Sequence, residues 1–195
     1  HTEDALERLL RAVRGLTDRR IVLVFGCGGD RDRGKRAPMG RIAGLLADVA
    51  IATSDNPRSE DPEAILAEVE RGLVASGAAG YRRIADRREA IRTAIDLSDP
   101  GTVVVIAGKG HETVQVIGDR SLPFDDREVD PGGVDVRGGH QATVDRDTTE
   151  VVTARDPLPG KPDDPLDDRR VVVRASLRPG AADVGLCNST TDFPD

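Results

Sequence analysis

Val49-Ala50-Ile51-Ala52-Thr53-Ser54-Asp55-Asn56-Pro57-Arg58 joins an apolar run directly to a polar turn, and this junction decides the fold. Two other stretches have the same form. Ile21-Val22-Leu23-Val24-Phe25 runs into Gly26-Cys27-Gly28-Gly29-Asp30-Arg31-Asp32-Arg33-Gly34-Lys35-Arg36, and Val103-Val104-Val105-Ile106-Ala107 runs into Gly108-Lys109-Gly110-His111-Glu112. Short β-branched runs that are apolar throughout, separated by helical patterns, predict buried strands of a mostly parallel sheet flanked by helices, a Rossmann-like α/β fold. Ligands of such sheets bind at the carboxyl ends of the strands, so the three charged loops are expected to face one crevice.

Outward from these junctions, helices alternate with the strands. Thr2 can cap a helix with Glu3 and Asp4 in its first turn; Leu6, Leu9, Leu10, Val13 and Leu16 recur at helical spacing, and Gly15 and Asp18 end it. Pro38 is placed to open a second helix with Met39, Ile42, Leu45 and Leu46 inward. Asp61-Pro62 supplies a cap and first turn for a third, buried through Ile65, Leu66, Val69 and Leu73. Asp86 with Glu89 makes a capping-box-like start for a fourth, bearing Ala90, Ile91, Ala94 and Ile95. Asp99-Pro100-Gly101 turns into the last apolar run. Residues 113–117 and 122–124, joined through Gly118-Asp119, predict a hairpin closing one edge of the sheet.

From about Val129 the character changes. Asp130-Pro131-Gly132-Gly133 breaks any helix begun by 125–129, and only 150–154 and 170–175 read as strands. Apolar burial in such a composition does not offset a backbone ordering cost of roughly 1–2 kcal/mol per residue. The expected organisation is therefore one domain over residues 1–129 followed by a largely disordered tail over 130–195. The tail has the composition of GC-rich DNA translated out of frame or by read-through. If so, the source DNA read in another frame encodes a helical, Ala/Leu-rich ending after Glu128.

The 195 residues carry a formal net charge of −7 and two cysteines, Cys27 and Cys187. The acidic balance counts against a nucleic-acid partner. No apolar run approaches membrane-spanning length. Two distant cysteines give neither a zinc spacing nor a disulfide framework, so a cytoplasmic, reducing setting without a bound metal is expected. The chain opens on His1 without a signal-peptide pattern, which predicts a piece of a longer protein.

In the first loop Gly29, Gly34 and Lys35 have the spacing of a phosphate-binding P-loop, but Arg36 stands where a Ser or Thr must ligate Mg²⁺. Asp30 and Asp32 would also repel phosphate. The dinucleotide fingerprint fails too, because Arg31 occupies the place of its third glycine. What remains is an arginine-rich loop suited to carboxylates. Asp55 and Asn56 add acceptors and an amide, Pro57 fixes the turn, and Arg58 offers a second carboxylate fork. Gly108 and Gly110 allow close backbone approach, while Glu112 supplies an anion. Two arginines and a glutamate in one cleft suit a ligand with two carboxylates and an ammonium. Charged loops taken singly are usually solvated decoration; three at successive strand ends argue for a site. His111 is expected to position backbone rather than act as a base, and Cys27 to pack beside the crevice. His1 and His140 have no metal-ligand spacing.

In order and spacing, Phe25 through Asp32 with Lys35-Arg36, then Asp55-Asn56-Pro57-Arg58, then Gly108-Lys109-Gly110-His111-Glu112, resemble the carboxy-terminal domain of the Mur ligase family. The opening His1-Thr2-Glu3-Asp4-Ala5-Leu6 is similar to the end of that family's Asp-Tyr-Ala-His-Thr-Pro-Asp-Ala-Leu stretch, with Glu3 in place of proline. The resemblance covers residues 1 to about 129 and none of the tail. It implies an ATP-dependent ligase of peptidoglycan synthesis, serving cell-wall biogenesis, cell shape and cell division. Such a ligase joins an amino acid to UDP-N-acetylmuramoyl-L-alanyl-D-glutamate through an acyl-phosphate. The Asp-Asn-Pro-Arg form is the one associated with meso-diaminopimelate rather than L-lysine.

By the same likeness Arg31, Asp55, Asn56, Pro57, Arg58, Gly108 and Glu112 would hold the diaminopimelate. Arg58 would pair with the distal carboxylate that lysine lacks, and a site built so should reject lysine. Lys35 and Arg36 are candidate contacts to nucleotide phosphates. The family's own P-loop, modified Mg²⁺-ligating lysine and UDP-binding domain lie upstream of the matching stretch. ATP and Mg²⁺ would therefore be bound mainly outside this chain, which is assigned no catalytic residue and is expected to be inactive alone. The implied partners are small molecules, acting on a monomer, with no nucleic acid and no membrane. Two other readings stand beside this one. A non-catalytic amino-acid-binding module is told apart by whether a P-loop domain is encoded upstream of His1. A nucleotide-binding domain using residues 29–35 has Arg36 against it.

Overall fold

A computed structural model describes residues 2–99, 101–109, 112–129 and 171–176. Helix α1 (Glu3–Leu16) starts where Thr2 Oγ1 accepts the Ala5 amide at 3.2 Å, with Glu3 and Asp4 at the dipole end that favours anions. Then follow β1 (Arg20–Cys27), α2 (Arg36–Leu46), β2 (Val49–Ser54), α3 (Pro62–Ala75), β3 (Tyr81–Arg83), α4 (Arg87–Asp96), β4 (Thr102–Gly108), β5 (Val114–Ile117), β6 (Arg120–Pro123) and β7 (Val171–Ser176). Asp61 and Asp86 cap α3 and α4 through the amides of Glu63 and Glu89.

Among the described residues the main sheet is parallel throughout, in the order β3-β2-β1-β4-β7. Its central strands are apolar on both faces because both faces are covered. Helices α1, α2 and α3 pack against Ile21, Leu23, Phe25, Val103 and Val105. Helix α4, with Phe124 and Val129, covers Val22, Val24, Ile51, Val104 and Ile106 on the other side. The strand order reverses at β1, with β2 on one side and β4 on the other, and this switch point is where an α/β sheet opens a crevice.

Several expectations are corrected. Leu45, expected inward, is 55 % exposed, whereas Gly40 and Ala43 are buried. The cause is a backbone-to-backbone meeting of α2 and α3: a Cβ on Gly40 would lie 2.0 Å from the Val69 carbonyl oxygen, and one on Gly72 1.9 Å from that of Ala37. Small residues let the helices close in and turn α2 onto its glycine face. Gly72→Ala meets main chain rather than a movable side chain, so a loss of about 1–3 kcal/mol is expected. An unchanged thermal midpoint would contradict that contact. Pro38 sits inside the first turn of α2 rather than at its start, because a 3-10 turn, Arg33–Lys35, leads into the helix ahead of it.

The hairpin β5–β6 is a separate two-stranded antiparallel sheet and does not close the main one. It is drawn instead to the 54–58 turn by hydrogen bonds described below. Strand β3 was not foreseen; Tyr81-Arg82-Arg83 has no apolar pattern and is held by register beside Ala50, Ile51 and Ala52. The place beside β4 is taken by β7, which pairs Val171 to Ser176 with Val103 to Gly108. The strand reading of 170–175 thus holds with a shift of one residue, and the sheet of the first 129 residues takes in 171–176. Expectations for 130–170 and 177–195, for His1, Pro100, Gly110 and His111, and for the Leu16 side chain lie outside the described residues.

Candidate functional site

The loops after β1, β2 and β4 leave the same end of the sheet and meet. The glycines of the first loop stack on the second: a Cβ on Gly26 would lie 2.5 Å from the Thr53 carbonyl oxygen, and one on Gly29 1.9 Å from that of Pro57. The Gly29 amide donates to the Asn56 carbonyl at 2.9 Å. The space that a phosphate cradle needs beside these glycines is filled by the chain itself. A Cβ on Gly28 would lie 2.8 Å from Arg58 Nη1 and 3.8 Å from Arg31 Cγ, so both arginines expected to take carboxylates border that residue.

Arg58 stands at φ 52°, a left-handed conformation that costs a residue with a Cβ roughly 1–2 kcal/mol. The hairpin holds it there. The Arg58 amide donates to the Val116 carbonyl at 3.0 Å, and the Gly118 amide donates to the Arg58 carbonyl at 2.6 Å. Arg58 Nη1 donates to the Gly29 carbonyl at 2.8 Å, while Nε and Nη2 bond to no described residue. Such strain, over-determined by its surroundings, is characteristic of binding sites.

Below Arg58 the second and third loops interlock. Asn56 Nδ2 donates to Glu112 Oε2 at 2.8 Å, and Asn56 Oδ1 accepts from the Val116 amide at 2.9 Å and from Lys109 Nζ at 3.2 Å. Gln115 Nε2 donates to the Asp55 carbonyl at 2.7 Å. Gly108 has φ 123°, and a Cβ there would lie 2.9 Å from Asp55 Oδ2, so conformation and space both require glycine. Asp55, Asn56, Pro57, Arg58, Gly108 and Glu112 therefore form one cluster. Arg31 lies at its exposed rim, where Nη1 donates to the Asp30 carbonyl at 3.4 Å.

Arg36, a candidate phosphate contact, is corrected. Its side chain is 0 % exposed; Nη1 donates to Glu60 at 2.9 Å and Glu68 at 3.0 Å, and Nη2 to Glu60 at 2.7 Å and to the Gly28 carbonyl at 3.4 Å. A guanidinium so enclosed ties α2 to α3 and to the 54–60 turn, and cannot reach a phosphate. Lys35 remains half-buried at the end of the 3-10 turn.

The hydrogen bonds from Arg36 and from the Asp30 amide bring the Glu60 carboxyl down from its ordinary 4.5 to about 2. Its folded value is below its unfolded one, so the stability it contributes is complete above about pH 4.5 and is lost as pH falls toward about 2. Glu60→Gln is expected to lower stability at neutral pH and to flatten the acid slope in that window without abolishing it, because Glu68, Asp30 and Asp48 are also lowered. Thermal melts at stepped pH check this; an unchanged slope would refute it.

Burial pushes the Cys27 thiol up to about 12, and its sulfur lies 3.6 Å from Met39 Sδ, which makes it a packing residue rather than a nucleophile. Sequence reasoning missed two buried cations. Arg87 donates through Nε and Nη2 to Asp126 at 2.8 and 2.7 Å and through Nη2 to the Ala107 carbonyl at 3.3 Å, bracing the end of β4 under Gly108. The Lys109 side chain is wholly buried, 3.4 Å from Glu112 Oε2. Nothing local distinguishes either from a solvated Arg or Lys. Among the described residues no group of three or more His, Cys, Asp or Glu is placed to hold a metal, and no helix is long and apolar enough to cross a membrane.

A parallel α/β sheet with guanidinium, carboxylate and amide groups gathered at its switch point has the arrangement of α/β domains that take small charged molecules. Residues 1–110 match the family described as Mur ligase, glutamate ligase domain, and the chain belongs to the Mur ligase family. It is 55 % identical over 129 residues to the UDP-N-acetylmuramoyl-L-alanyl-D-glutamate--2,6-diaminopimelate ligase of Syntrophomonas wolfei subsp. wolfei, covering 66 % of this chain and 26 % of that one. The enzyme of the same name in Geobacillus thermodenitrificans is also 55 % identical over 129 residues, with the same shares covered. A solved structure of a ligase of that name superposes with a TM-score of 0.60 at 48 % identity, over 65 % of this chain and 26 % of that one. The chain thus spans about a quarter of the length of the curated relatives it matches.

Proposed function

We propose that residues 1–129 are the amino-acid-binding domain of an ATP-dependent ligase that adds meso-diaminopimelate to UDP-N-acetylmuramoyl-L-alanyl-D-glutamate in peptidoglycan biosynthesis. The observation that carries this reading is the interlocked cluster of Asp55, Asn56, Arg58 and Glu112 across the switch point, with Arg31 at its rim. Arg58 and Arg31 take carboxylates in fork geometry, and Asp55 and Glu112 take ammonium. The domain binds and orients the incoming diamino acid as a cytoplasmic monomer.

ATP and Mg²⁺ belong to this reading as groups bound mainly outside this chain. The residues here do not build a nucleotide site: the first-loop glycines contact the 53–57 backbone and Arg36 is enclosed by Glu60 and Glu68. Lys35 is the residue proposed to approach the phosphates, and no phosphoryl-transfer step is derived from this chain. Calorimetric titration of the 195-residue chain with meso-diaminopimelate and, separately, L-lysine tests the reading. Heat with the first and none with the second is the expected result. Equal heat with both would overturn the specificity, and none with either would overturn binding by this chain alone.

A further inference from the structure

We propose that Lys109 is a positioning residue of the ligand cleft, setting which end of the Asn56 amide faces a ligand and holding the Glu112 carboxylate against it. Its consequence for binding rests on the diaminopimelate reading; the positioning itself does not.

The Lys109 side chain is 0 % exposed. An ammonium taken from water is costly unless its donors are met. Lys109 Nζ has three donors and three acceptors: Asn56 Oδ1 at 3.2 Å, Glu112 Oε2 at 3.4 Å and the Val114 carbonyl. The ammonium is therefore spent within the protein and has no donor left for a ligand. Part of its effect passes through Asn56. Asn56 Oδ1 also accepts from the Val116 amide at 2.9 Å, so both of its acceptor positions are filled. An amide with oxygen and nitrogen exchanged would set its NH₂ against the ammonium and the Val116 N–H, with donors facing donors on both sides.

The orientation shown leaves Nδ2 against Glu112 Oε2 at 2.8 Å, with its second hydrogen uncommitted among the described residues. Asn56 can thus offer an entering molecule N–H but no C=O, and Glu112 retains Oε1 as an acceptor. One N–H beside one carboxylate oxygen matches a carboxylate and an ammonium on neighbouring atoms, the pattern of an amino-acid terminus. The bond to Val114 also ties the start of β5 to the end of β4, which places the hairpin holding Arg58 under the same lysine.

The test uses the full 195-residue chain. In ligand-free wild-type protein the Lys109 ammonium protons are expected to be protected from exchange in nitrogen-15 NMR spectra, and freely exchanging protons would overturn the proposal without any variant. Lys109→Met, which keeps the stem and removes the donors, is expected to move the Asn56 Nδ2 signals while distant amides stay in place; unmoved signals would overturn it. In calorimetry Lys109→Met is expected to weaken meso-diaminopimelate binding by roughly tenfold. The double variant with Asn56→Ala should then lose less than the two single losses combined, because part of the effect of Lys109 passes through Asn56. Fully additive losses would refute that route. Absence of binding by the wild type would overturn binding by this chain alone, with the spectra still deciding the role of Lys109.

Discussion

Arg58→Ala is expected to weaken meso-diaminopimelate binding by roughly 30-fold or more, since truncating one partner of a desolvated charge pair costs about 2 kcal/mol at the low end. The preference over L-lysine should fall toward one, because the distal carboxylate loses its fork while the rest of the cleft is intact. Arg58→Gly separates this from a structural effect. The residue stands at φ 52°, where glycine bears no Cβ penalty, so this variant is expected to lose binding equally while keeping or raising stability by up to about 1 kcal/mol. Opposite movement of affinity and stability would identify the left-handed arginine as strain retained for recognition. Binding preserved in both variants would refute its role, and a destabilised Arg58→Gly would show that the side-chain bond to Gly29 outweighs the backbone cost.

Asp126→Ala is expected to cause the largest stability loss. Arg87 and Asp126 are 0 % and 2 % exposed and bonded at two points, and removing one partner of such a pair leaves a buried charge at a cost of about 3–5 kcal/mol. Total stability for a domain is about 5–15 kcal/mol, so the variant should lie near the edge of folding. The loss also releases the segment carrying Phe124 and Val129 from the α4 face of the sheet. Urea unfolding followed by circular dichroism measures it, and a loss below about 1 kcal/mol would show that the pair is dispensable. Replacing both partners by Met and Leu should recover much of the loss, since two apolar side chains leave no charge behind.

Features held by short-range interactions show in the sequence, and those held by long-range ones do not. The caps at Thr2, Asp61 and Asp86 and the buried strands β1, β2 and β4 were legible, because a cap spans three residues and an apolar run declares its own burial. The order of the charged loops was legible for the same reason, and with it the end of the sheet at which they meet. Leu45 misled because helical periodicity does not reveal that Gly40 and Gly72 bring two backbones together. Strand β3 depends on a partner rather than a pattern, since Tyr81-Arg82-Arg83 extends because β2 offers an edge; 171–176 reads as a strand in the sequence, but only the fold places it beside β4.

The sequence by itself determined the parallel α/β class, the starts of α1, α3 and α4 and the three charged loops at the strand ends, all of which rest on contacts along a short length of chain. Only the tertiary structure decided which charged side chains are spent inside. Arg36 finds Glu60 and Glu68 at separations of 24 and 32 residues, Arg87 finds Asp126 at 39, and Lys109 finds Asn56 at 53. A lysine or arginine has the same chemistry wherever it stands, and its cost in the interior is offset only by acceptors that folding brings to it.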